Sequence, residues 1–309
     1  AEHHNMPAVA ATNPAVLIAM VAGATERIRV GSGGVMLPNH APLVVAEQFA
    51  LLEAAHPGRI DLGIGRAPGS DPVTGWALRH GAGGVDASAV EHFPEYVDDV
   101  IAMMDTAGVS LDVGGRVYPL RATPHATAVA PVWLLGSSDY SARLAAQRGL
   151  PYVFAHHFSG NGTAEALALY RSGFRPSGAT SEPRTFLTVN VVVADTEEEA
   201  AELALPQLLA MVALRTGGEL RPQPAVEEAA ATVLPEAHRG LLDTMRARWV
   251  IDAPAGAADR IRALAREFDV DEVMVHPVAG ARSGTPADAA PAREATLRLL
   301  ARELLGQPH

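Results

Sequence analysis

The sequence contains no cysteine and no lysine, so its 24 basic residues are all arginines. The lack of cysteine excludes disulfides and thiolate chemistry, and it fits a reducing cytoplasm, where we expect the protein. No run of about 20 apolar residues is present, so the sequence predicts no membrane-spanning helix. The 35 acidic residues outweigh the arginines and give a net charge of -11. This balance argues against nucleic acids and anionic membranes as partners, because both attract basic surfaces.

The sequence also lacks the dinucleotide-binding fingerprint G-x-G-x-x-G after its first strand. Its 309 residues instead alternate short apolar segments with helical segments, which is the pattern of a parallel sheet. Strands are predicted near 28–37, 59–65, 131–135, 152–155, 185–193 and 271–276, with a strand end at the start of the chain. Glycine and polar residues follow several of these strands. That distribution favours a (β/α)8 TIM barrel over an open doubly wound sheet, because a barrel builds its site from many strand ends.

Two stretches break this alternation and predict loop insertions, near 66–92 and near 216–250, because both are rich in glycine, proline and charged residues. Between them, Gly114-Gly115 indicates a small hairpin. We expect one barrel domain over 1–309 that carries these insertions.

Three ionisable side chains, Glu2, His3 and His4, are adjacent near the start and are followed by Asn5. Side chains alternate in an extended chain, so Glu2 and His4 share one side and His3 takes the other. An imidazole at a strand end can act as an acid or a base near neutral pH. An ordinary surface loop and a zinc site are the alternatives. Three further histidines follow other predicted strands, where they are candidates for a substrate mouth or for structural roles: His40, His156 and His157.

Two segments predict contact with a ligand. Gly31-Ser32-Gly33-Gly34 lies in a predicted central strand, where glycine marks either the close approach of a ligand or a tight bend. Gly136-Ser137-Ser138, followed by Asp139-Tyr140-Ser141, joins a buried strand to a helix. Free N–H groups and hydroxyls at such a helix start favour a phosphate, and a simple serine cap is the alternative. Arg66, which follows its own strand, offers the matching positive charge.

Six segments carry a family resemblance through their order and spacing: Ala1 to Asn5, Arg29 to Pro38, Ala46 to Phe49, Pro57 to Arg66, Trp133 to Ser138, and Gly149 to Pro151. Together they resemble the bacterial luciferase-like family of flavin-dependent monooxygenases. The resemblance implies a TIM barrel of the luciferase-like type that binds reduced FMN or, alternatively, a reduced deazaflavin. It also implies that the first strand, the first helix and most of the second strand of the family fold are absent before Glu2.

The same resemblance assigns roles to individual residues. It makes His3 the catalytic residue, and it places a cis peptide near Ser32-Gly33-Gly34. The residues that it and the local patterns assign to the cofactor are Glu2, Ser32, Gly33, Gly34, Arg66, Gly136, Ser137, Ser138, Tyr140 and Ser141. The residues expected to face the substrate are His4, Asn5, His40, His156 and His157, and no metal is expected.

The expected function is that of a two-component monooxygenase, in which a separate flavin reductase supplies reduced FMN and O2 oxidises a small organic substrate. A homodimer is expected from the resemblance. The first alternative is a flavin- or deazaflavin-binding protein with hydride transfer or no oxygenase activity. The second is a metal-dependent barrel hydrolase that uses His3, His4, His156 and His157.

Overall fold

The structure is a computed structural model that describes residues 1–67, 71–79, 88–158 and 160–306. The chain divides into two compact units, each described by itself. The first unit comprises Ala1–Asn5, Val9–Val153 and Glu165–Arg184. The second unit comprises Met6–Ala8, Phe154–Ala164 and Thr185–His309.

The first unit is built on a five-stranded sheet with the order β1-β3-β6-β7, in which β2 also pairs with β3. The strands are β1 (Val30–Gly31), β2 (Val35–Met36), β3 (Ile60–Gly65), β4 (Val109–Val113), β5 (Arg116–Leu120), β6 (Val132–Gly136) and β7 (Tyr152–Phe154). The helices are α1 (Pro14–Gly23), a 3-10 helix (Leu37–Asn39), α2 (Pro42–Ala55), α3 (Pro72–Arg79), α4 (Ser88–Glu91), α5 (Phe93–Met104), α6 (Asp139–Arg148) and α7 (Thr163–Gly173). Strand β3 pairs in parallel with β1, β2 and β6, whereas β4 and β5 form a separate antiparallel hairpin. The hairpin confirms the prediction made from Gly114-Gly115.

The second unit is built on a three-stranded parallel sheet with the order β10-β8-β9. Its strands are β8 (Leu187–Val193), β9 (Val250–Asp252) and β10 (Val273–Pro277). Its helices are α8 (Glu197–Arg215), α9 (Val226–Ala230), α10 (Glu236–Arg248), α11 (Pro254–Phe268) and α12 (Pro291–Leu305). Strand β8 is the centre of this sheet and is buried at every position.

Apolar strands form the core of each unit, as the sequence pattern predicts. Ile60, Leu62 and Ile64 of β3 are completely buried in the first unit. In the second unit the same holds for Val191 and Val192 of β8. Burial of each such side chain stabilises the fold by about 1.5–3 kcal/mol. The central strands therefore hold the strand ends, where the polar residues lie, in fixed places.

Two helices, α1 and α8, begin at a residue whose side chain caps the helix. Asn13 accepts a hydrogen bond from the backbone N–H of Val16 at the start of α1, where Pro14 is the first helical residue. Thr196 caps α8 in the same way through the N–H of Glu199. Local sequence was sufficient here because the cap lies three residues from its partner.

Regular structure lies within both stretches, near 66–92 and 216–250, whose status as insertions stays a prediction. Helices α3 and α4 lie in the first stretch, whose residues 68–70 and 80–87 fall outside the described residues. Helices α9 and α10 and the first residue of β9 lie in the second. In α3, Asp71 accepts hydrogen bonds from the N–H groups of Val73 and Thr74, so Asp71-Pro72 is a helix start rather than a turn. The predicted loss of the first strand stays a prediction.

Candidate active site

A buried carboxylate, that of Glu2, joins three parts of the first unit. Its Oε1 accepts hydrogen bonds from His4 Nε2 at 3.0 Å and from His40 Nε2 at 2.8 Å. Its Oε2 accepts from the backbone N–H of Met36 at 2.9 Å. Burial alone would raise the pKa of Glu2, but the hydrogen bonds from His40, His4 and Met36 outweigh burial and lower that pKa below its ordinary value. Glu2 is therefore an ionised group held by protein donors.

The opening segment, Ala1–Asn5, makes two further hydrogen bonds to other parts of the first unit. The backbone N–H of His3 donates to the Ala11 carbonyl at 2.9 Å, and the His3 side chain is half-buried. Asn5 donates from Nδ2 to Thr74 Oγ1 at 3.2 Å, and Thr74 in turn donates to Asp71 at 2.5 Å. Asn5 has a positive φ of 55°, which an asparagine adopts more readily than most residues. The opening segment is thus fixed to the first turn of α3.

The glycine segment between β1 and β2 has one face against β3 and one open face. Ser32 Oγ donates to the Gly63 carbonyl at 2.8 Å and accepts from the Gly63 N–H at 2.9 Å. These two hydrogen bonds join the glycine segment to β3. A Cβ added to Gly34 would lie 2.6 Å from Leu135 Cδ1 and 2.8 Å from the Gly63 carbonyl oxygen. A Cβ added to Gly33 would have no described heavy atom within 4 Å. The predicted cis peptide is confirmed between Gly33 and Gly34.

The segment between β6 and α6 has the features of an anion site. Ser138 occupies the cap position of α6 in an extended conformation, and its side chain forms no capping hydrogen bond within the described structure. The Arg66 guanidinium stacks on the Tyr140 ring, with Cζ 4.1 Å from the ring centroid. Ser141 is buried, and a Cβ added to Gly136 would lie 2.5 Å from its Oγ. Helix N–H groups and a guanidinium are therefore gathered at one place, which suits a phosphate.

The second unit contains a network of buried polar groups around His157. Thr188 Oγ1 donates to the Phe154 carbonyl at 3.3 Å, so it accepts from His157 Nδ1 at 2.8 Å. Asn190 Nδ2 donates to the His157 carbonyl at 2.7 Å, so its Oδ1 accepts from His276 Nδ1 at 2.8 Å. Both imidazoles then carry their proton on Nδ1 and present Nε2 as an acceptor.

Burial keeps these histidines neutral. It lowers the pKa of His157 to about 4, with smaller contributions from His276 and His156. It also lowers the pKa of His276, and Arg293 lowers it further. His156, whose Nδ1 lies 2.8 Å from Thr163 Oγ1, has a pKa lowered by burial as well. The rings of His157 and His276 meet edge to face, with their centroids 5.7 Å apart.

The structure thus brings the predicted residues into distinct groups. Glu2, His4 and His40 form one group, which we call the Glu2 cluster, and Arg66 lies with Tyr140 at the start of α6. His156 and His157 belong to the second unit. Sequence patterns did not indicate the partners Met36, Thr74, Thr188, Asn190 and His276. The only sequence signal for Thr188 and Asn190 is that they are polar residues in an otherwise apolar strand.

Within the described ranges there is no group of three or more His, Cys, Asp and Glu side chains suited to a metal ion. In the same part of the chain, no helix is both long and apolar enough to cross a membrane.

Each unit has a parallel sheet accompanied by helices, and similarity to solved structures of known fold supports a TIM-barrel-type fold for the chain. Two of the similar structures have low sequence identity. One is the oxygenating constituent of 3,6-diketocamphane monooxygenase from Pseudomonas putida in complex with FMN, with a TM-score of 0.67 and 18% identity over 98% of this chain and 86% of that chain. Another is an F420-dependent secondary alcohol dehydrogenase in complex with an F420-acetone adduct, with a TM-score of 0.65 and 13% identity over 98% of this chain and 88% of that chain.

The chain belongs to the luciferase-like monooxygenase family, whose family model matches residues 1–272. A luciferase-like monooxygenase of Escherichia coli (strain K12) is 41% identical over 277 residues, which are 89% of this chain and 79% of the relative. The N-acetyl-S-alkylcysteine monooxygenase of Bacillus subtilis (strain 168) is 36% identical over 220 residues, 70% of this chain and 63% of the relative. The crystal structure of apo-MsnO8 has a TM-score of 0.82 and 31% identity, and it covers 100% of this chain and 87% of that chain. Membership of this family makes the protein an oxidoreductase.

Proposed function

We propose that this oxidoreductase is a flavin-dependent monooxygenase in which reduced FMN, supplied by a separate flavin reductase, and O2 oxidise a small organic substrate. The observation that carries the proposal is the pairing of Arg66 with Tyr140 at the start of α6. We take 1–309 to be one luciferase-like barrel domain in this proposal.

The phosphate of FMN suits the start of α6. The first turn of a helix has backbone N–H groups without partners inside the helix, and they attract anions. Ser137 and Ser138 are exposed there, so their hydroxyls can donate to phosphate oxygens. Arg66 is held against the Tyr140 ring, which orders its guanidinium before a ligand arrives. The donor set therefore fits a phosphate monoester.

The flavin ring suits the open side of the glycine segment. Gly33 has free space where a side chain would stand, whereas Gly34 is packed against β3 and Leu135. A wall without side chains lets a flat ring approach the backbone closely. Gly33 would therefore face the ring, and Gly34 and Ser32 would hold the wall in place.

When bound, reduced flavin supplies the two electrons with which O2 is reduced during oxygenation. The residues of the chain would orient the reactants, exclude water and handle protons. In this proposal His3, half-buried beside Glu2 in the opening segment, holds or releases a proton at its imidazole. His4, Asn5 and His40 would face the substrate, and His156 and His157 keep their predicted substrate roles as part of the proposal.

FMN is the preferred flavin because two family relatives bear monooxygenase names, and because the fold neighbour in complex with FMN is an oxygenating enzyme. The fold is shared with an F420-dependent dehydrogenase as well, so hydride transfer with a deazaflavin is the second candidate. The two candidates differ in the flavin and in the use of O2, which only the monooxygenase consumes.

We also propose that the protein is a homodimer. Helix α1 is apolar around its whole circumference but exposes Val16, Leu17, Met20 and Val21. Exposed apolar side chains that lie together on a helix favour a protein partner. Sedimentation of the purified chain would test the dimer, and a monomer over the whole concentration range would contradict it.

The function is tested by supplying the protein with a flavin reductase, NADH and either FMN or deazaflavin. The proposal expects substrate-dependent O2 uptake with FMN, and little hydrogen peroxide released per flavin oxidised. His3→Ala should lower the oxygenation yield, whereas the exposed His92→Ala should not. Turnover with reduced deazaflavin and no O2 uptake would favour the second candidate, and an unchanged yield in His3→Ala would remove the role given to His3.

A further inference from the structure

The Glu2 cluster consists of a buried carboxylate and two half-exposed imidazoles. Glu2 is completely buried, whereas the side chains of His4 and His40 are 19% and 29% exposed. Both Nε2 atoms lie beside the same oxygen, Glu2 Oε1, at 3.0 and 2.8 Å. One carboxylate oxygen therefore accepts hydrogen bonds from two imidazoles that are partly exposed.

The carboxylate determines which nitrogen of each ring carries a proton. An ionised carboxylate accepts hydrogen bonds and donates none, so each imidazole must present an N–H at Nε2. In a neutral ring the other nitrogen, Nδ1, then has a free lone pair. Met36 donates its backbone N–H to Glu2 Oε2, which fixes the direction of the carboxylate. The geometry leaves Nδ1 of His4 and of His40 as the two proton-accepting atoms.

We propose that Glu2 is a positioning residue that holds His4 and His40 in the Nε2–H form and makes them a pair of bases that together take up one proton. The inference rests on the proposed function in that the proton comes from an O–H or N–H of the substrate. The electron pair of that bond stays on the substrate atom, and the proton moves to a Nδ1 lone pair. The Glu2 carboxylate offsets the resulting positive charge.

Both rings lie beside the same carboxylate oxygen, Glu2 Oε1, at 3.0 and 2.8 Å. One negative charge is therefore available to offset one added proton on the pair. Among the described groups, His4, His40 and the amino group of Ala1 interact with the Glu2 carboxylate. In this proposal the Glu2 cluster accepts one proton, at Nδ1 of His4 or of His40. Arg66 and Gly33 belong to the same unit.

This role differs from a direct contact between Glu2 and the flavin ring, and the two make different predictions for Glu2→Gln. A ring contact would lower the affinity for reduced FMN. A positioning role would leave that affinity unchanged and lower kcat by about 100-fold, the lower end of what a general acid or base contributes.

The first test uses flavin-free protein labelled with 15N in histidine and needs no variant. Long-range 1H–15N spectra report which ring nitrogen carries the proton. The proposal expects an N–H at Nε2 in both His4 and His40, and an N–H at Nδ1 of either neutral ring would overturn it. Since no flavin is present, this result does not depend on whether the proposed function is right.

The second test compares Glu2→Gln with a matched variant of another buried glutamate. Glu53 is 2% exposed and accepts from the Gly58 N–H at 2.7 Å, within the same unit. Glu2→Gln should give mixed tautomers at His4 and His40, whereas Glu53→Gln should not. The proposal is overturned if the tautomers stay unchanged in Glu2→Gln or if both variants lower kcat equally.

Discussion

The buried state of His157 predicts a specific loss of stability in acid. The folded pKa of His157 is about 4, against 6.5 for a histidine in the unfolded chain. Between these two values the unfolded chain binds a proton that the folded chain does not bind. The unfolding free energy therefore falls as the pH falls from 6.5 towards 4. Above pH 6.5 His157 is neutral in both states and causes no loss of stability.

The size of the effect follows from the difference between the two pKa values. Each unit corresponds to about 1.4 kcal/mol, so His157 alone should account for about 3 kcal/mol of unfolding free energy lost between neutral and acid pH. His156 and His276 add to the loss, because burial also lowers their pKa values. In His157→Gln a side-chain amide can still donate to Thr188 but cannot titrate.

Urea unfolding at several pH values between 7 and 4, followed by tryptophan fluorescence, measures this loss. The unfolding free energy of the parent protein should fall by about 3 kcal/mol more than that of His157→Gln. His92→Gln, which changes an exposed histidine, should follow the parent protein. Parallel curves for the parent and His157→Gln would refute the assignment of a buried neutral imidazole.

Two further predictions concern the glycines of the candidate site. Gly33→Ala should leave the urea midpoint unchanged but weaken FMN binding, because its Cβ would occupy the free space proposed for the flavin ring. Gly34→Ala should lower the unfolding free energy by about 1–3 kcal/mol, because its Cβ would overpack against β3 and Leu135. Equal losses of stability in the two variants would contradict these different roles. Gly136→Ala should weaken FMN binding more than riboflavin binding, because its Cβ displaces Ser141 near the start of α6. Equal weakening of the two flavins, measured by fluorescence titration, would count against a phosphate at that place.

Features set by neighbouring residues were predictable from the sequence. The start of α1 at Asn13-Pro14 and the start of α8 at Thr196 follow local cap patterns, because a cap and its partner are three residues apart. The shared side of Glu2 and His4 also followed from local alternation, and their contact at 3.0 Å confirms it. In contrast, Asp71-Pro72 was taken as part of a loop, although the same residues are typical of a helix start.

Contacts between distant residues were not predictable in the same way. His40 is 38 residues from Glu2, and nothing local to either residue indicates that one carboxylate oxygen serves both histidines. The partners of His157 lie on β8, 31 and 33 residues further along the chain. A single sequence shows which residues are polar, but the sheet register decides which of them meet.

The proposed function requires that the chain bind a phosphorylated flavin through Arg66 and the start of α6. Anaerobic calorimetric titration with reduced FMN and with reduced riboflavin measures this binding in the parent protein and in Arg66→Gln. We expect FMN to bind at least about 10-fold more tightly than riboflavin, since charged hydrogen bonds contribute about 1.5–3 kcal/mol each, and we expect Arg66→Gln to reduce this difference. Failure of both flavins to bind, or equal binding of both that does not depend on Arg66, would contradict it.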